Sequence, residues 1–321
     1  MLAADFEVAR RHFAVRVSLQ VAPGERLAIL GPSGAGKSTC LEALAGLLPL
    51  SAGEIHLKRR CLSSSARPNQ NVPPGRRGVG LLRQNPGLFP HLTVLENISY
   101  PLGVTLAVAT AAAQRMGLGD LLRARPKGLS GGEAQRVALC RVLQTGVQLL
   151  CLDEAFSSLD RPLGVEMLEL VRGEVSASGT AALLVTHQLP EAQAFADRVA
   201  VLDRGSILQV AEARELVLRP KTAVVAALVG YRGWLRHGDQ LMAIHPDRVR
   251  PAPLPDAPGL LDGRVVGMRP EGALMDVELE SVGHWVGRFH CMFDEPPEVG
   301  ARLLLHAPAA PIFGAAREAL V

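Results

Sequence analysis

The stretch that decides the fold is Gly31-Pro-Ser-Gly-Ala-Gly-Lys-Ser38, with Thr39 directly after it. Its G-x-x-x-x-G-K-[ST] spacing predicts a phosphate-binding loop, because glycines let backbone N–H groups wrap closely around phosphate oxygens. A helix that begins near Lys37 adds the positive end of its dipole, while the Lys37 ammonium neutralises phosphate charge and the Ser38 hydroxyl ligates Mg2+. The predicted nucleotide-binding residues are Gly31, Pro32, Ser33, Gly34, Ala35, Gly36, Lys37, Ser38 and Thr39.

Strand and helix patterns alternate around this loop and predict an α/β core. Apolar runs that predict buried strands cover residues 26–30, 77–82, 147–152 and 181–186, and alternation from Phe13 to Val21 predicts a half-buried antiparallel strand. Residues 37–47 have a helical pattern. The segment from about Asn85 to Lys127 carries few strand signals and is interpreted as a small helical insertion.

The last third of the chain has a different composition. The change comes near Arg219-Pro220, and prolines crowd the stretch from Pro246 to Pro258. Short strand-like runs follow at residues 264–268, 273–279, 284–289 and 302–306, separated by glycine-rich joints. This pattern predicts a small β-barrel.

Bulk composition excludes several classes of protein. The 321 residues carry a formal net charge of +3, which implies no general nucleic-acid-binding surface. Five scattered cysteines without a CxxC pair indicate reduced thiols. We expect no signal peptide, and the most apolar stretch, residues 104–113, is too short to span a bilayer. If the protein serves transport, another chain must supply the membrane path.

Two further motifs identify a family. Leu129-Ser-Gly-Gly-Glu133 lies in the middle of the chain, and Leu149-Leu-Cys-Leu-Asp-Glu154 follows it. With the phosphate loop, they make the chain resemble an ATP-binding-cassette (ABC) ATPase, specifically the nucleotide-hydrolysing subunit of an importer. The resemblance implies an ABC domain at residues 1–225, with a helical subdomain at about 85–140, and an accessory barrel of the TOBE type at 231–321.

The resemblance also implies roles for single residues, with ATP and Mg2+ as cofactors. Asp153 would hold Mg2+, and Glu154 would be the general base. Gln84 would sense Mg2+ and the attacking water, His187 would contact the γ-phosphate, and Asp160 would link two active sites. Two departures from the family pattern are Ala155 in place of a proline and Arg83 in place of a hydrophobic residue. The aromatic residue that stacks on adenine is left open between Phe13 and Phe6.

Ser130, Gly131 and Gly132 imply a pair of chains. In the family, these residues cannot easily reach the phosphate loop of their own chain and instead close on the ATP of the partner. Complete motifs on one chain favour a homodimer, because both composite sites are then intact.

The importer resemblance implies further partners and a location. An integral-membrane permease would bind near Gln84, where Leu88 and Phe89 are interpreted as a groove or as core packing. An extracytoplasmic solute-binding protein would take part indirectly, and the chain would lie peripherally on the cytoplasmic face of the membrane.

The cargo stays open at this stage. Glu133 and the compact helical insertion favour the molybdate importer group, with sulfate, ferric iron and polyamine as alternatives. A soluble ABC ATPase of translation or DNA repair and a ligand-sensing tail are the other classes considered. Residues 231–321 contain one serine, Ser281, and no threonine or lysine. We therefore expect no tight oxyanion site in the tail.

Overall fold

The computed structural model forms two compact units, Met1–Ala213 and Arg214–Val321. It describes residues 1–11, 13–66, 70–156, 159–237, 239–248, 250–251, 260–271, 274–281, 286–291, 297–307 and 310–314. The first residues of two predicted strands, Ala273 and His284-Trp285, lie outside this range. No helix among the described residues is both long enough and apolar enough to cross a bilayer.

An eleven-stranded sheet forms the centre of the first unit, in the order β6-β5-β4-β1-β2-β11-β10-β3-β9-β8-β7. Its strands are β1 (Leu2–Ala9), β2 (Ala14–Val21), β3 (Arg26–Leu30), β4 (Ala52–Leu57), β5 (Arg60–Ser64), β6 (Gln70–Asn71), β7 (Val79–Leu82), β8 (Leu149–Asp153), β9 (Ala181–Thr186), β10 (Arg198–Asp203) and β11 (Ser206–Ala211). Strands β7, β8, β9, β3 and β10 run parallel, whereas β1, β2, β4, β5 and β6 pair antiparallel. Between β2 and β11 the described residues form one ladder pair, Ser206 with Arg16.

Six helices of this unit pack on the sheet. They are α1 (Lys37–Ala45), α2 (Val94–Ser99), α3 (Leu106–Arg115), α4 (Gly131–Leu143), α5 (Arg161–Ser178) and α6 (Leu189–Phe195). Buried apolar residues of α1, including Leu41 and Leu44, belong to one hydrophobic cluster, and those of α2 to α5 belong to a second. Strand β9 is buried along all six residues, as expected for a parallel strand that is covered on both faces.

The parallel strands position the predicted site. Gly31 follows the carboxyl end of β3, Asp153 ends β8, and His187 follows β9. Gln84 comes two residues after β7. Because carboxyl ends of parallel strands meet at one edge of a sheet, residues far apart in sequence come together there.

The structure corrects one predicted strand. Residues 77–82 were expected to be extended, but β7 begins only at Val79, after a 3-10 turn at Pro74–Arg76 and a left-handed Gly78 with φ 69°. Arg77 is buried instead of lying on a strand. Strands β1, β4, β5, β6, β10 and β11 were not predicted.

The second unit begins with a helix and then forms an eight-stranded antiparallel sheet. Its helix α8 spans Ala223–Leu228, and a preceding helix, α7 (Ala213–Leu218), starts at the boundary. The strands are β12 (Gly233–His237), β13 (Gln240–Ile244), β14 (Arg250–Pro251), β15 (Leu260–Glu271), β16 (Leu274–Ser281), β17 (Val286–Cys291), β18 (Arg302–His306) and β19 (Ile312–Gly314). The barrel-like antiparallel domain predicted from the sequence is confirmed, with a core that includes Val265, Val277 and Phe289.

Candidate active site

The phosphate loop connects β3 to α1 and depends on glycine at three positions. Gly34 and Gly36 have φ of 81° and 103°, in the left-handed region that other residues rarely adopt. A Cβ at Gly31 would lie 2.1 Å from the carbonyl oxygen of Leu202, at the end of β10. The loop therefore needs glycine at position 31, where its backbone passes close to that of β10, and at positions 34 and 36, where the chain adopts a left-handed conformation.

Lys37 reaches back over this loop. Its Nζ donates hydrogen bonds to the carbonyl oxygens of Gly31 at 2.9 Å and Pro32 at 3.0 Å. The side chain is buried, and this burial lowers the pKa of Lys37, although Glu154 and Asp153 act in the opposite direction. The loop thus holds a cation whose hydrogen-bond partners are neutral carbonyl groups, an arrangement suited to receiving phosphate charge.

Ser38 and Asp153 meet beside the lysine. The Ser38 hydroxyl donates to Asp153 Oδ1 at 3.0 Å, joining the start of α1 to the end of β8. Burial is the main cause that raises the pKa of the Asp153 carboxyl, and the charges of Glu154 and Glu42 raise it further. A carboxylate in this position is poised to bind a cation, because the cation would offset the cost of its charge.

Glu154 and His187 form the second polar pair of the site. His187 Nδ1 lies 3.4 Å from Glu154 Oε1. Glu154 has a left-handed φ of 47°, and its N–H donates to the carbonyl oxygen of Val185 at 3.0 Å. This bond to β9 keeps the strained residue at the edge of the sheet, where its carboxylate faces the histidine.

The turn that carries His187 is held by its neighbours. The Thr186 hydroxyl accepts a hydrogen bond from the Gln188 N–H at 3.0 Å and donates to Glu191 on α6. Burial raises the pKa of Glu191. Sequence reasoning did not single out Thr186 or Glu191, because their role appears only when the turn is folded.

A cavity of about 700 Å³ brings most of these residues together. Its lining residues are Arg10, Arg11, Phe13, Ser33, Gly34, Gly36, Lys37, Ser38, Thr39, Gln84 and Glu154. Phe6, one candidate for adenine stacking, lies in the core with 3% exposure, while Phe13 is partly buried on the cavity wall. Arg10 and Arg11 were not predicted, since they come from the turn before β2 and no motif marks them.

Comparison with known proteins decides the family. The chain is 32% identical to the molybdate/tungstate import ATP-binding protein WtpC of Thermococcus kodakarensis, over 85% of this chain and 76% of that protein. It is 40% identical to the Fe(3+) ions import ATP-binding protein FbpC of Mesorhizobium japonicum, over 67% of this chain and 60% of that protein. The ABC transporter family profile matches residues 15–157. The chain belongs to the ABC transporter ATP-binding proteins.

A solved structure shares the ABC fold. The ATP-binding cassette MJ0796, in a dimeric post-hydrolysis state bound to ADP and Pi, matches with a TM-score of 0.58 at 24% identity, over 67% of this chain and 99% of that chain. A further relative is the uncharacterized ABC transporter ATP-binding protein YdcT of Escherichia coli, 40% identical over 67% of this chain and 64% of that protein. The chain therefore spans less than two thirds of the length of YdcT and of FbpC.

The ABC signature residues lie at the start of α4. Ser130 caps this helix, and its backbone N–H and hydroxyl both donate to Glu133 Oε2 at 2.8 Å. Ser130, Gly131 and Gly132 are absent from the residues described as lining the cavity. Asp160 likewise caps a helix, with Oδ1 accepting the Leu163 N–H at 2.9 Å. The structure thus gives these four residues positions at helix starts and does not bring Ser130 to Gly132 to the phosphate loop.

Arg141, near the end of the same ABC signature helix, holds the segment after Gln84. Its guanidinium donates to the carbonyl oxygens of Pro86 at 3.3 Å and Gly87 at 3.0 Å and lies 5.2 Å from the centre of the Phe89 ring. This link was not predicted from the sequence. The only sequence signal for it is a charged residue, Arg141, within the apolar second half of α4.

Proposed function

We propose that this chain is the ATP-hydrolysing subunit of a membrane importer and that it works as a pair of identical copies. The observation that carries the proposal is a cavity lined by the phosphate loop, Ser38, Gln84 and Glu154. Asp153 is hydrogen-bonded to Ser38, and His187 lies 3.4 Å from Glu154. The lining residues come from the turn before β2, from the phosphate loop and the start of α1, and from the segments that follow β7 and β8. An importer role is supported by the relatives, whose names describe import ATP-binding proteins.

The site residues fit ATP with Mg2+. Ser38 and Asp153 offer a hydroxyl and a carboxylate oxygen, which are the hard donors that Mg2+ prefers, and Gln84 on the cavity wall is the third proposed ligand. Mg2+, when bound, supplies charge neutralisation for the β- and γ-phosphates. The phosphate loop and Lys37 bind the same phosphates through N–H groups and a buried cation.

Hydrolysis is assigned to Glu154 and His187. The Glu154 carboxylate orients a water molecule and accepts its proton as the water attacks the γ-phosphate. His187, 3.4 Å from that carboxylate, is positioned to donate a hydrogen bond to a γ-phosphate oxygen. Positioning contributes more than basicity here, since phosphoryl transfer depends mainly on alignment and on charge stabilisation.

A second copy would complete the site. Ser130, Gly131 and Gly132 lie outside the described lining of the cavity, so the proposal places them on the γ-phosphate bound by the partner. The start of α4 offers N–H groups and a hydroxyl for this contact. Asp160 would lie at the contact between the two active sites. ATP would then hold the pair together, and its hydrolysis would release it.

The permease is proposed to bind the helical region next to Gln84. Four apolar residues in this region are exposed, namely Tyr100, Leu102, Leu106 and Val108. Phe89 lies beside them, with its ring centre 4.3 Å from that of Tyr100. An apolar surface close to a nucleotide-sensing loop suits a partner that must respond to ATP. This assignment places the chain on the cytoplasmic face of the membrane, with the solute-binding protein on the other side.

The proposed cargo is an oxyanion such as molybdate, with ferric iron, sulfate and polyamine as alternatives. WtpC supports the first choice and FbpC an alternative. Residues 1–225 are proposed as the ABC domain and 231–321 as a TOBE-type accessory domain. In that domain His290 and Cys291 are neighbours, but only Cys291 belongs to the buried core. We propose that the domain serves subunit contact or regulation and has no tight oxyanion site.

The variant Glu154→Gln tests the proposed chemistry. The amide keeps the size of the side chain but cannot accept a proton, so ATP hydrolysis should fall at least about a hundredfold while ATP still binds. Gel filtration with ATP and Mg2+ should then show a stable dimer. Glu169→Gln, on the exposed face of α5, is the matched control. Hydrolysis by Glu154→Gln at the control rate would contradict the assignment.

A further inference from the structure

Two arginines border the cavity from a turn that no motif includes. Arg10 and Arg11 follow the last β1–β2 ladder pair, Ala9 with Ala14, and the Arg10 N–H donates to the carbonyl oxygen of Phe13 at 3.0 Å. This bond closes the turn, so both side chains join the lining of the cavity. The site therefore has cations from the β1–β2 turn as well as within the phosphate loop.

Arg10 is held from two sides. Its Nε donates to the Thr39 hydroxyl at 3.0 Å, and one terminal nitrogen lies 3.6 Å from Glu42 Oε2. The other oxygen of Glu42, Oε1, accepts a hydrogen bond from the Arg83 guanidinium at 2.8 Å, so the Glu42 carboxylate is shared between two arginines. The guanidinium is thus oriented without any ligand, which reduces the entropy lost when a ligand binds.

Thr39 lies between Arg10 and the proposed phosphate-binding site at the start of α1. It is the third residue of α1, and its backbone N–H belongs to the first turn, where N–H groups lack helical acceptors. The first helical bond in this region is from Cys40 N–H to the Gly36 carbonyl oxygen at 3.0 Å. An anion bound by the first-turn N–H groups therefore lies beside Thr39, within reach of a guanidinium that already contacts the Thr39 hydroxyl.

We propose that Arg10 is a nucleotide-binding residue that contacts the α-phosphate of ATP. The inference rests on the proposed function, in which the loop and Lys37 take the β- and γ-phosphates, so the remaining phosphate lies where the loop opens toward Thr39. Phe13 does not fill this position, because its ring packs near Gly36, 3.5 Å from where a Cβ would lie there. Arginine suits the contact, since its planar N–H groups can bind Thr39 and a phosphate oxygen together.

Calorimetry with ATP and with inorganic triphosphate, each with Mg2+, tests this role. Arg10→Gln should weaken binding of both ligands about tenfold, because one charge-assisted hydrogen bond is lost. Arg10→Lys, which keeps the charge, should be intermediate. The matched control is Arg16→Gln, since Arg16 is also exposed and also pairs with a glutamate, Glu7 at 2.9 Å, but does not line this cavity.

The outcomes separate this inference from the proposed function. Unchanged binding of both ligands by Arg10→Gln would overturn the inference, and a loss confined to ATP would assign Arg10 to the base instead. If Arg10→Gln failed to fold, Arg10→Lys would decide. This variant should bind triphosphate more weakly than the wild-type chain, and equal binding would count against the inference. A wild-type chain that binds no ATP, or a Lys37→Ala variant that binds it normally, would instead contradict the proposed function.

Discussion

Three residues in or beside the cavity have an ionisation state or a backbone conformation that costs free energy when no ligand is bound. Burial raises the pKa of Asp153 and lowers the pKa of Lys37, so each charge costs free energy in the folded chain. Glu154 has a left-handed φ of 47° without being glycine. A phosphate and its cation would compensate the first two. The chain therefore gives up stability at the site where it would bind a ligand.

Asp153→Asn should show this compromise directly. The amide oxygen still accepts the Ser38 hydrogen bond, while the buried charge disappears, so the thermal midpoint without nucleotide should rise by about 1 to 3 °C near pH 7.5. Mg2+-dependent hydrolysis should be lost. Because the pKa of Asp153 is raised in the folded chain, wild-type stability is reduced above the ordinary pKa of aspartate and recovers as the carboxyl is protonated.

The difference in thermal midpoint between Asp153→Asn and the wild-type chain should therefore disappear as the pH falls toward about 4. Differential scanning calorimetry between pH 7.5 and about 4 measures both midpoints and shows whether the variant is the more stable protein at the higher pH. An equal midpoint for both proteins at every pH would contradict the buried-charge argument.

Residues inside a contiguous motif could be predicted from the sequence, and residues that act across elements could not. Lys37, Asp153 and Glu154 carry their context in the neighbouring residues, so the sequence placed them on the cavity or beside it. Arg10 is 29 positions from Thr39, its hydrogen-bond partner. Only the folded β1–β2 turn brings the two together.

Helix α1 depends on one buried arginine at its carboxyl end. The Arg77 guanidinium donates to the carbonyl oxygens of Ala43 at 3.1 Å and Leu44 at 3.0 Å, and to Val72, Ser63 and Asn71. The side chain is 2% exposed, and a Cβ at Gly46 would lie 2.3 Å from its Nε. A cation at the negative end of the helix thus joins α1 to β5 and β6.

Arg77→Met should destabilise the first unit by about 3 kcal/mol or more, because several buried acceptors lose their donors together. Urea unfolding followed by circular dichroism measures the change. Arg76→Met, at the exposed neighbouring position, should change the free energy of unfolding by less than about 0.5 kcal/mol. Equal effects of the two substitutions would contradict the capping role.

In the first unit, the sequence predicted the parallel strands except β10, but only one of the antiparallel strands, β2. Strands β3, β8 and β9 are apolar runs that end at motif residues, so both pattern and position marked them. Strands β4 and β5 span six and five residues and each bury only two of them, which is too few to give a clear period. Arg77 was assigned to a strand because it comes shortly before the apolar run Val79–Leu82, and nothing in the local sequence marks it as a buried arginine.

At the scale of the whole molecule, the exposed apolar residues of the helical region are the strongest sign of a partner. Leu102 is fully exposed, and Tyr100, Leu106 and Val108 are each about half exposed or more. Arg141 ties the segment after Gln84 to the signature helix, so this surface, the cavity wall and Ser130 are connected by one element. We therefore expect ATP binding and hydrolysis to affect the partner through α4 and its contacts with Pro86 and Gly87.

Leu102→Glu should abolish assembly with the permease and ATP-driven uptake, because a charge would replace an apolar contact. Basal ATP hydrolysis by the isolated chain should stay within about twofold of wild type, since Leu102 contacts no site residue. Uptake by proteoliposomes, beside hydrolysis in solution, gives both readouts. Leu218→Glu, at an exposed leucine of the second unit, is the control. Normal uptake by Leu102→Glu would place the permease contact elsewhere.

The ladder between β2 and β11 is short, and this affects how rigidly the two halves of the large sheet are joined. The parallel half is stiff, because each neighbouring pair shares several ladder positions, whereas a single pair, Ser206 with Arg16, bridges the join. A cavity of about 480 Å³ opens along this line. The hairpin of β1 and β2, which carries Arg10, is therefore joined to the parallel half by fewer ladder pairs than join the parallel strands to one another. We expect its tilt to change more readily on nucleotide binding than the register of the strands that hold the phosphate loop.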